Sequence, residues 1–216
     1  MKRLFLLYGL LFLSLPLVFA DKKDFKFEQV PDYYRYKEEF LQIFNQWLYA
    51  DQDNISRNIF FLEAAFCVPF DDPIKALVPI TDPNQYKKYQ NLVMMHISRL
   101  LTQAYIDYGY LFMKEHIYFF NHEFLTNYIE GYDIAEFYFG EARKYWNIAI
   151  DYAQKADAYK GYKINLSMYG YHFDFEDELY KIKTGLLNYH KVIDNLMYRI
   201  DRNRKTIQGL FEQYQQ

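Results

Sequence analysis

The sequence predicts an all-α fold, a helical bundle of about five helices whose two long C-terminal members are coiled-coil-like. Three observations predict it. Four successive heptads carry Ala at one position and Tyr three residues later: Ala135/Tyr138, Ala142/Tyr145, Ala149/Tyr152 and Ala156/Tyr159. A second seam runs through Phe175, Leu179, Ile182, Leu186, Tyr189, Ile193, Leu196, Ile200, Ile207 and Leu210 in alternating steps of four and three, the spacing that keeps one face of a helix apolar. Turn residues are scarce, with 8 Gly and 6 Pro in 216 residues, and Pro69, Pro73, Pro79 and Pro83 gather in one loop.

Taken in order, residues 1–20 read as a signal peptide. Lys2 and Arg3 give a positive start, Leu4 to Val18 is apolar, and Val18-Phe19-Ala20 fits the small-x-small rule for cleavage before Asp21. No cysteine follows the apolar run to carry a lipid, and the run is shorter than the ~20 residues of a spanning helix. A linker over 21–31 leads into a single helical domain over 32–216, with a bundle core over 32–160 and a long C-terminal helix over 174–213. No membrane span is expected after cleavage.

The first helix is placed from about Asp32 to Ala50, with Tyr33, Tyr36, Phe40, Ile43, Phe44 and Trp47 on one face. The second runs from about Asn54 to Cys67, with Ile55, Ile59, Leu62 and Phe66 in step, and Cys67 is expected to end it as a small buried hydrophobe. Asp71-Asp72-Pro73 reads as a cap followed by Pro at a first helical position. The third helix begins at Pro83 with Asp82 as N-cap and keeps its apolar series from Tyr86 to Leu111. The fourth starts near Asn121 or His122 and carries the Ala/Tyr seam to about Lys160. In the last helix Asn203 is the one polar residue in the core series, a device that fixes register in coiled coils. Two such helices can fold back as an antiparallel pair, the Ala/Tyr seam then facing the Ile/Leu seam.

The search for chemistry returns no catalytic, cofactor-binding or metal constellation. There is no Gly-x-Ser-x-Gly, no Gly-rich phosphate loop and no pair of histidines four apart. His116 and His122, with Glu115 and Glu123 beside them, straddle a helix junction. His96, inside Met94-Met95-His96, reads as a hydrogen-bonded core histidine. One cysteine precludes an internal disulfide, so an exported chain must rely on packing. The formal net charge of −3, with scattered cations apart from the run Arg199, Arg202, Arg204 and Lys205, argues against a nucleic-acid partner.

From about Asn58 to Ala153 the chain resembles a group of exported helical proteins of spirochaetes, tetratricopeptide-like components of the periplasmic flagellar apparatus and its collar. The likeness is carried by Phe61-Leu62-Glu63-Ala64-Ala65 leading into Pro69-Phe70-Asp71-Asp72-Pro73, then Ala76-Leu77, Ile80, Tyr86, Tyr89, Met95-His96, Leu100, Tyr105 and Gly109. Tyr118-Phe119-Phe120-Asn121, Ala135, Tyr138, Ala142, Tyr145-Trp146 and Ala149 complete it. No 34-residue self-similarity is present, so the resemblance implies a short, degenerate helical member and not a repeat array. It also implies a periplasmic scaffold that binds flagellar or envelope proteins, with no catalytic residue to carry over.

The expected function is therefore that of an exported, non-enzymatic scaffold or adaptor acting by protein contact, self-association included. The surplus of Tyr and Phe nominates Pro69, Phe70, Tyr118, Phe119, Phe120, Tyr138, Tyr145 and Trp146 as interface candidates. The alternative is a periplasmic carrier whose aromatic residues line a pocket for a lipid or small apolar ligand.

Overall fold

The computed structural model describes residues 34–42, 54–118, 123–166, 170 and 173–214, and among these there is no β-strand. The signal peptide over 1–20, the linker over 21–31, and the interface candidates Phe119 and Phe120 lie outside the described residues. Residues 37–42 are helical. Five longer helices follow: α1 (Ile55–Cys67), α2 (Pro83–Tyr110), α3 (Leu125–Asp157), α4 (Phe175–Thr184) and α5 (Tyr189–Tyr214). The protein is an all-α bundle.

α2 is the central element. From Leu92 to Ser98 every residue is buried, which an amphipathic surface helix would not allow. α1 packs against α2, α3 covers its length, and α4 crosses both α2 and α3. Within the buried stretch, the Ser98 hydroxyl donates to the Met94 carbonyl at 2.7 Å and Thr102 to the Ser98 carbonyl at 2.8 Å, so neither hydroxyl is left unpaired in an apolar setting. The start of α2 follows the sequence expectation: the Asp82 carboxylate accepts the Asn84 and Gln85 amides, both at 2.8 Å, ahead of Pro83.

The Ala/Tyr seam finds its principal partner in α2. Ala135, Ala142, Ala149 and Ala156 are all fully buried, and small side chains there let the helices come close. At Gly109 a Cβ would lie 2.8 Å from the Phe139 ring and 3.2 Å from the Ala135 carbonyl oxygen. α5 lies antiparallel to α3 on an adjoining face. Trp146 meets Tyr189 at 5.0 Å between ring centroids, Arg143 pairs with Asp194 at 2.6 Å, and Arg204 with Asp133 at 2.6 Å, so residue numbers rise along α3 as they fall along α5. The expected fold-back is present, but α3 is sandwiched between two helices, and its seam at Ala135, Tyr138 and Tyr145 meets the upstream one.

The C-terminal helix expected over 174–213 is interrupted. α4 ends at Thr184, Gly185 adopts φ 74°, and α5 begins four residues later. Asn188 accepts the Lys191 amide at 3.3 Å at the new start. The break expels Leu186, a core position in the heptad pattern, to 71 % exposure. Beyond it, Ile193, Leu196, Ile200 and Ile207 are buried as the seam predicts.

Three local expectations are corrected. Cys67 is exposed, because α1 ends there and its last turn points the thiol outward. Asp72-Pro73 opens a turn and not a helix: the Asp72 carboxylate accepts the Ile74 amide at 3.0 Å, and the Lys75 amide bonds back to the Asp72 carbonyl at 2.8 Å. Leu111, expected in the core series, is 66 % exposed because α2 has ended at Tyr110.

Candidate functional site

The loop between α1 and α2 is built around two buried ionisable residues from the 37–42 segment. Lys37 Nζ donates to the last carbonyls of α1, Ala65 at 3.0 Å and Phe66 at 2.6 Å, the place where a helix favours a cation. Burial lowers its pKa to about 8, with Cys67 and Glu38 acting in the opposite direction. Glu38 accepts the Tyr89 hydroxyl at 2.9 Å and the Asp71 amide at 3.1 Å, and the Leu77 amide donates to Tyr89 Oη at 3.1 Å. Burial, its main cause, raises the Glu38 pKa. Ala76, Leu77, Val78 and Ile80 plug the core, while Pro69 and Ile74 face outward, Ile74 at 69 % exposure. Phe70 is half-buried, its ring 6.2 Å from Tyr89. The loop is thus a fixed platform, with Pro69 and the unpredicted Ile74 at its surface.

Between α2 and α3 the aromatic residues form a ladder. Tyr145 stacks on Tyr105 at 5.6 Å, Tyr105 on Tyr138 at 6.1 Å, and Tyr138 on Phe112 at 5.9 Å, with Tyr108 edge-on to Tyr138 at 4.8 Å and Phe66 edge-on to Tyr145 at 5.6 Å. Glu63 of α1 accepts the Tyr105 hydroxyl and, at 3.2 Å, that of Tyr145. Burial raises all three phenols, Tyr138 to about 12, with Tyr108 adding to the effect there and Glu63 to the effect on Tyr105 and Tyr145. They remain neutral donors across ordinary pH. Tyr138, 5 % exposed, and Trp146, 1 % exposed, therefore belong to the core and offer no surface to a partner. Tyr145 is half-buried in the ladder.

On the opposite side of α2, His96 Nδ1 lies 2.7 Å from Glu178 Oε2, and Arg99 reaches Glu178 Oε1 at 3.1 Å. The His96 ring packs against the stacked pair Phe173 and Phe175, 4.9 Å from each, and is 3 % exposed, so it is the core histidine the sequence suggests. Burial would raise the Glu178 carboxyl, but the charges and hydrogen bonds of His96 and Arg99 outweigh it and hold the group below its ordinary range. Nearby, buried Lys88 pairs with Glu176 at 2.7 Å and donates to the Tyr162 carbonyl. These contacts fasten α4 and the 162–166 connection to α2. Among the described residues no group of three or more His, Cys, Asp or Glu side chains is placed to hold a metal.

Large apolar side chains come to the surface where α2 gives way to α3. Leu111, Tyr118 and Phe124 are at least half exposed, and Tyr110 is 39 % exposed. Phe124 approaches Tyr128 at 6.5 Å, and Tyr128 lies under Lys114 Nζ at 5.8 Å. Between Leu111 and Tyr118 the chain is tied to α5: Asn203 donates to the Lys114 and Glu115 carbonyls at 2.9 and 3.2 Å, and Arg199 pairs with Glu115 at 2.9 Å. Of the sequence-nominated candidates, Tyr118 is among these exposed residues and Pro69 and Phe70 are in the loop. Leu111 and Phe124 were hidden from sequence reasoning because their helical phase matches the core, and only the helix ends place them outside it.

No helix among the described residues is long and apolar enough to cross a membrane. A family model described as a domain of unknown function, DUF8513, matches residues 84–210, which takes in α2 to most of α5. No curated protein matches the chain, and no solved structure does.

Proposed function

We propose a function for a chain that belongs to the DUF8513 family: an exported, non-catalytic helical scaffold that acts by protein–protein contact. The observation that carries this reading is the exposure of Leu111, Tyr118 and Phe124 near the ends of α2 and α3, with Lys114 and Glu115, between the first two, held to α5 by Asn203 and Arg199. Exposed apolar side chains on a fixed backbone are what a docking surface requires, since little ordering is left to do on binding. The acidic groups of the interior support the non-catalytic part, because buried Glu38 and half-buried Glu63 and Glu178 each hold protein partners and work as fasteners. The signal-peptide pattern of residues 1–20 supports export. The resemblance over about Asn58 to Ala153 directs the search for the partner to the periplasmic flagellar apparatus.

The test is site-specific photo-crosslinking from position 118 or 124 in an envelope fraction of the source cell, with position 75 on the exposed platform loop as control. A discrete adduct from 118 and 124, lost in the Leu111→Ser/Phe124→Ser double variant while its melting curve is unchanged, is the expected result. A strictly monomeric protein that yields no adduct from either position would overturn the reading.

A further inference from the structure

Local preference and folded arrangement conflict at the junction of α4 and α5. The four–three apolar series runs unbroken from Phe175 through Ile182, Leu186 and Tyr189 to Ile200, the pattern of one continuous helix. The folded chain interrupts it: Gly185 turns at φ 74°, and Leu186, a member of the series, is 71 % exposed. The junction is loosely packed as well. A cleft of about 360 Å³ lies beside it, lined by Trp146, Ile150 and Ala153 of α3 and by Ile182 and Leu187. A local preference overridden in a short hinge is the condition under which a second arrangement competes.

The two helices are fastened independently. α4 is tied to α2, with Glu178 held by His96 at 2.7 Å and Glu176 by Lys88 at 2.7 Å. α5 is tied along its length to α3: Tyr189 packs on Trp146 at 5.0 Å, Asp194 pairs with Arg143 at 2.6 Å, and Arg204 with Asp133 at 2.6 Å. α4 and α5 pack little on one another. Residues 185–188 are thus the link between two separately anchored pieces, and α3 of a second copy offers α5 the same contacts as its own α3.

We propose that α5 is exchanged between two copies of this chain. Residues 185–188 become helical, α4 and α5 join into one helix about 60 Å long over 175–214, and each α5 seats on α3 of the other copy. The exchange is mutual, so it closes into a two-fold dimer with no open end. The α3–α5 contacts are all kept. What is given up is the turn, including the Leu187 amide bonded to the Lys181 carbonyl at 3.0 Å, and the freedom of two separate molecules. What is gained is unbroken helix and the return of Leu186 to the apolar face. The proposal rests on the α4–α5 junction and not on the scaffold role.

The test is size-exclusion chromatography with light scattering on purified parent, Gly185→Ala and Leu186→Gly proteins, each equilibrated at the same millimolar concentration. The parent is expected to show a minor dimer. Gly185→Ala removes the left-handed stop and favours helix at the hinge of both copies, so its association constant should rise at least about tenfold. Leu186→Gly disfavours the joined helix while leaving the monomer's core untouched, and should lower the parent's constant about tenfold. An equal mixture of ¹³C-labelled and unlabelled Gly185→Ala protein then separates exchange from ordinary association. A nuclear Overhauser contact between Trp146 of one copy and Tyr189 of the other is expected in its dimer, and a contact confined to single copies overturns the proposal. So does the absence of a dimer in both the parent and Gly185→Ala, or a Leu186→Gly protein that dimerises as well as the parent.

Discussion

Asn203 separates two accounts of the C-terminal helix. By sequence it occupies a core position of the Ile/Leu seam, where a polar residue fixes coiled-coil register at a cost in stability and an apolar replacement stabilises. In the structure it is 5 % exposed and its amide donates to the Lys114 carbonyl at 2.9 Å, the Glu115 carbonyl at 3.2 Å and Tyr132 Oη at 3.1 Å. Tyr132 in turn donates to the Lys114 carbonyl at 2.8 Å, so that oxygen keeps a partner when Asn203 is replaced, whereas Glu115 loses its donor. Removing two effective bonds at about 1 kcal/mol each, and leaving one carbonyl short, puts Asn203→Ala at about 2–3 kcal/mol destabilising. Asn203→Leu recovers about 1 kcal/mol by burial and should still lose about 1–2 kcal/mol. The measurement is urea unfolding followed by circular dichroism, with the slope compared between variants to confirm that the midpoint alone moves. A chain of this size should lose a few degrees of Tm per kcal/mol. An Asn203→Leu protein more stable than the parent would refute the role of Asn203 as a clamp on the α2–α3 connection.

Trp146→Ala should cost about 3–5 kcal/mol, the range for removing a fully buried aromatic ring. A loss under about 1 kcal/mol in the same unfolding experiment would place the ring at the surface. Gly109→Ala should destabilise by about 1–2 kcal/mol although Ala is the better helix former, because its Cβ would meet the Phe139 ring and the backbone at Ala135. Gly140→Ala is the control: nothing lies within 4 Å of its Cβ, so a gain of about 0.5–1 kcal/mol is expected. If both glycines respond alike, the close approach of α2 and α3 is wrong. Glu178, held by His96 and Arg99, gives an acid limb. Its folded pKa lies below the ordinary 4.5, so the unfolded chain binds the proton more readily, and the stability it supplies is present above about pH 4.5 and lost as pH falls through the folded value. Glu178→Gln should flatten stability against pH in that window, and an unchanged slope would show that the ion pair is not coupled to folding.

Much of the fold is legible in the sequence because periodicity reports burial. The Ala/Tyr seam, the Asp82-Pro83 start and the buried face of Ile193, Ile200 and Ile207 follow from residue spacing alone. Helix continuity is less legible. The four–three pattern runs without fault through Ile182, Leu186 and Tyr189, and the local signal that contradicts it is short: Gly185, a left-handed stop, followed by Asn188, a start. The order of neighbours is not legible at all. Every apolar face says that it is covered, and none says by what, so Tyr138 and Tyr145 of α3 meet α2 while its tryptophan meets α5.

The same limit explains why the interface candidates divided as they did. An aromatic residue in helical phase reads identically whether it stacks in a ladder, as Tyr138 does, or stands beyond a helix end, as Phe124 does. What separates them is where the helices stop, and in this chain the two stops carry the surface features. The end of α2 turns Leu111 outward, and the Gly185 break turns Leu186 outward and leaves a cleft beside Trp146. Replacing Gly185 with Ala tests the second directly. A side chain at φ 74° is strained, so α4 is driven toward continuity with α5, which would be read as protection of the Leu186 amide from hydrogen exchange, and an unprotected Leu186 amide would refute the role of Gly185 as the stop.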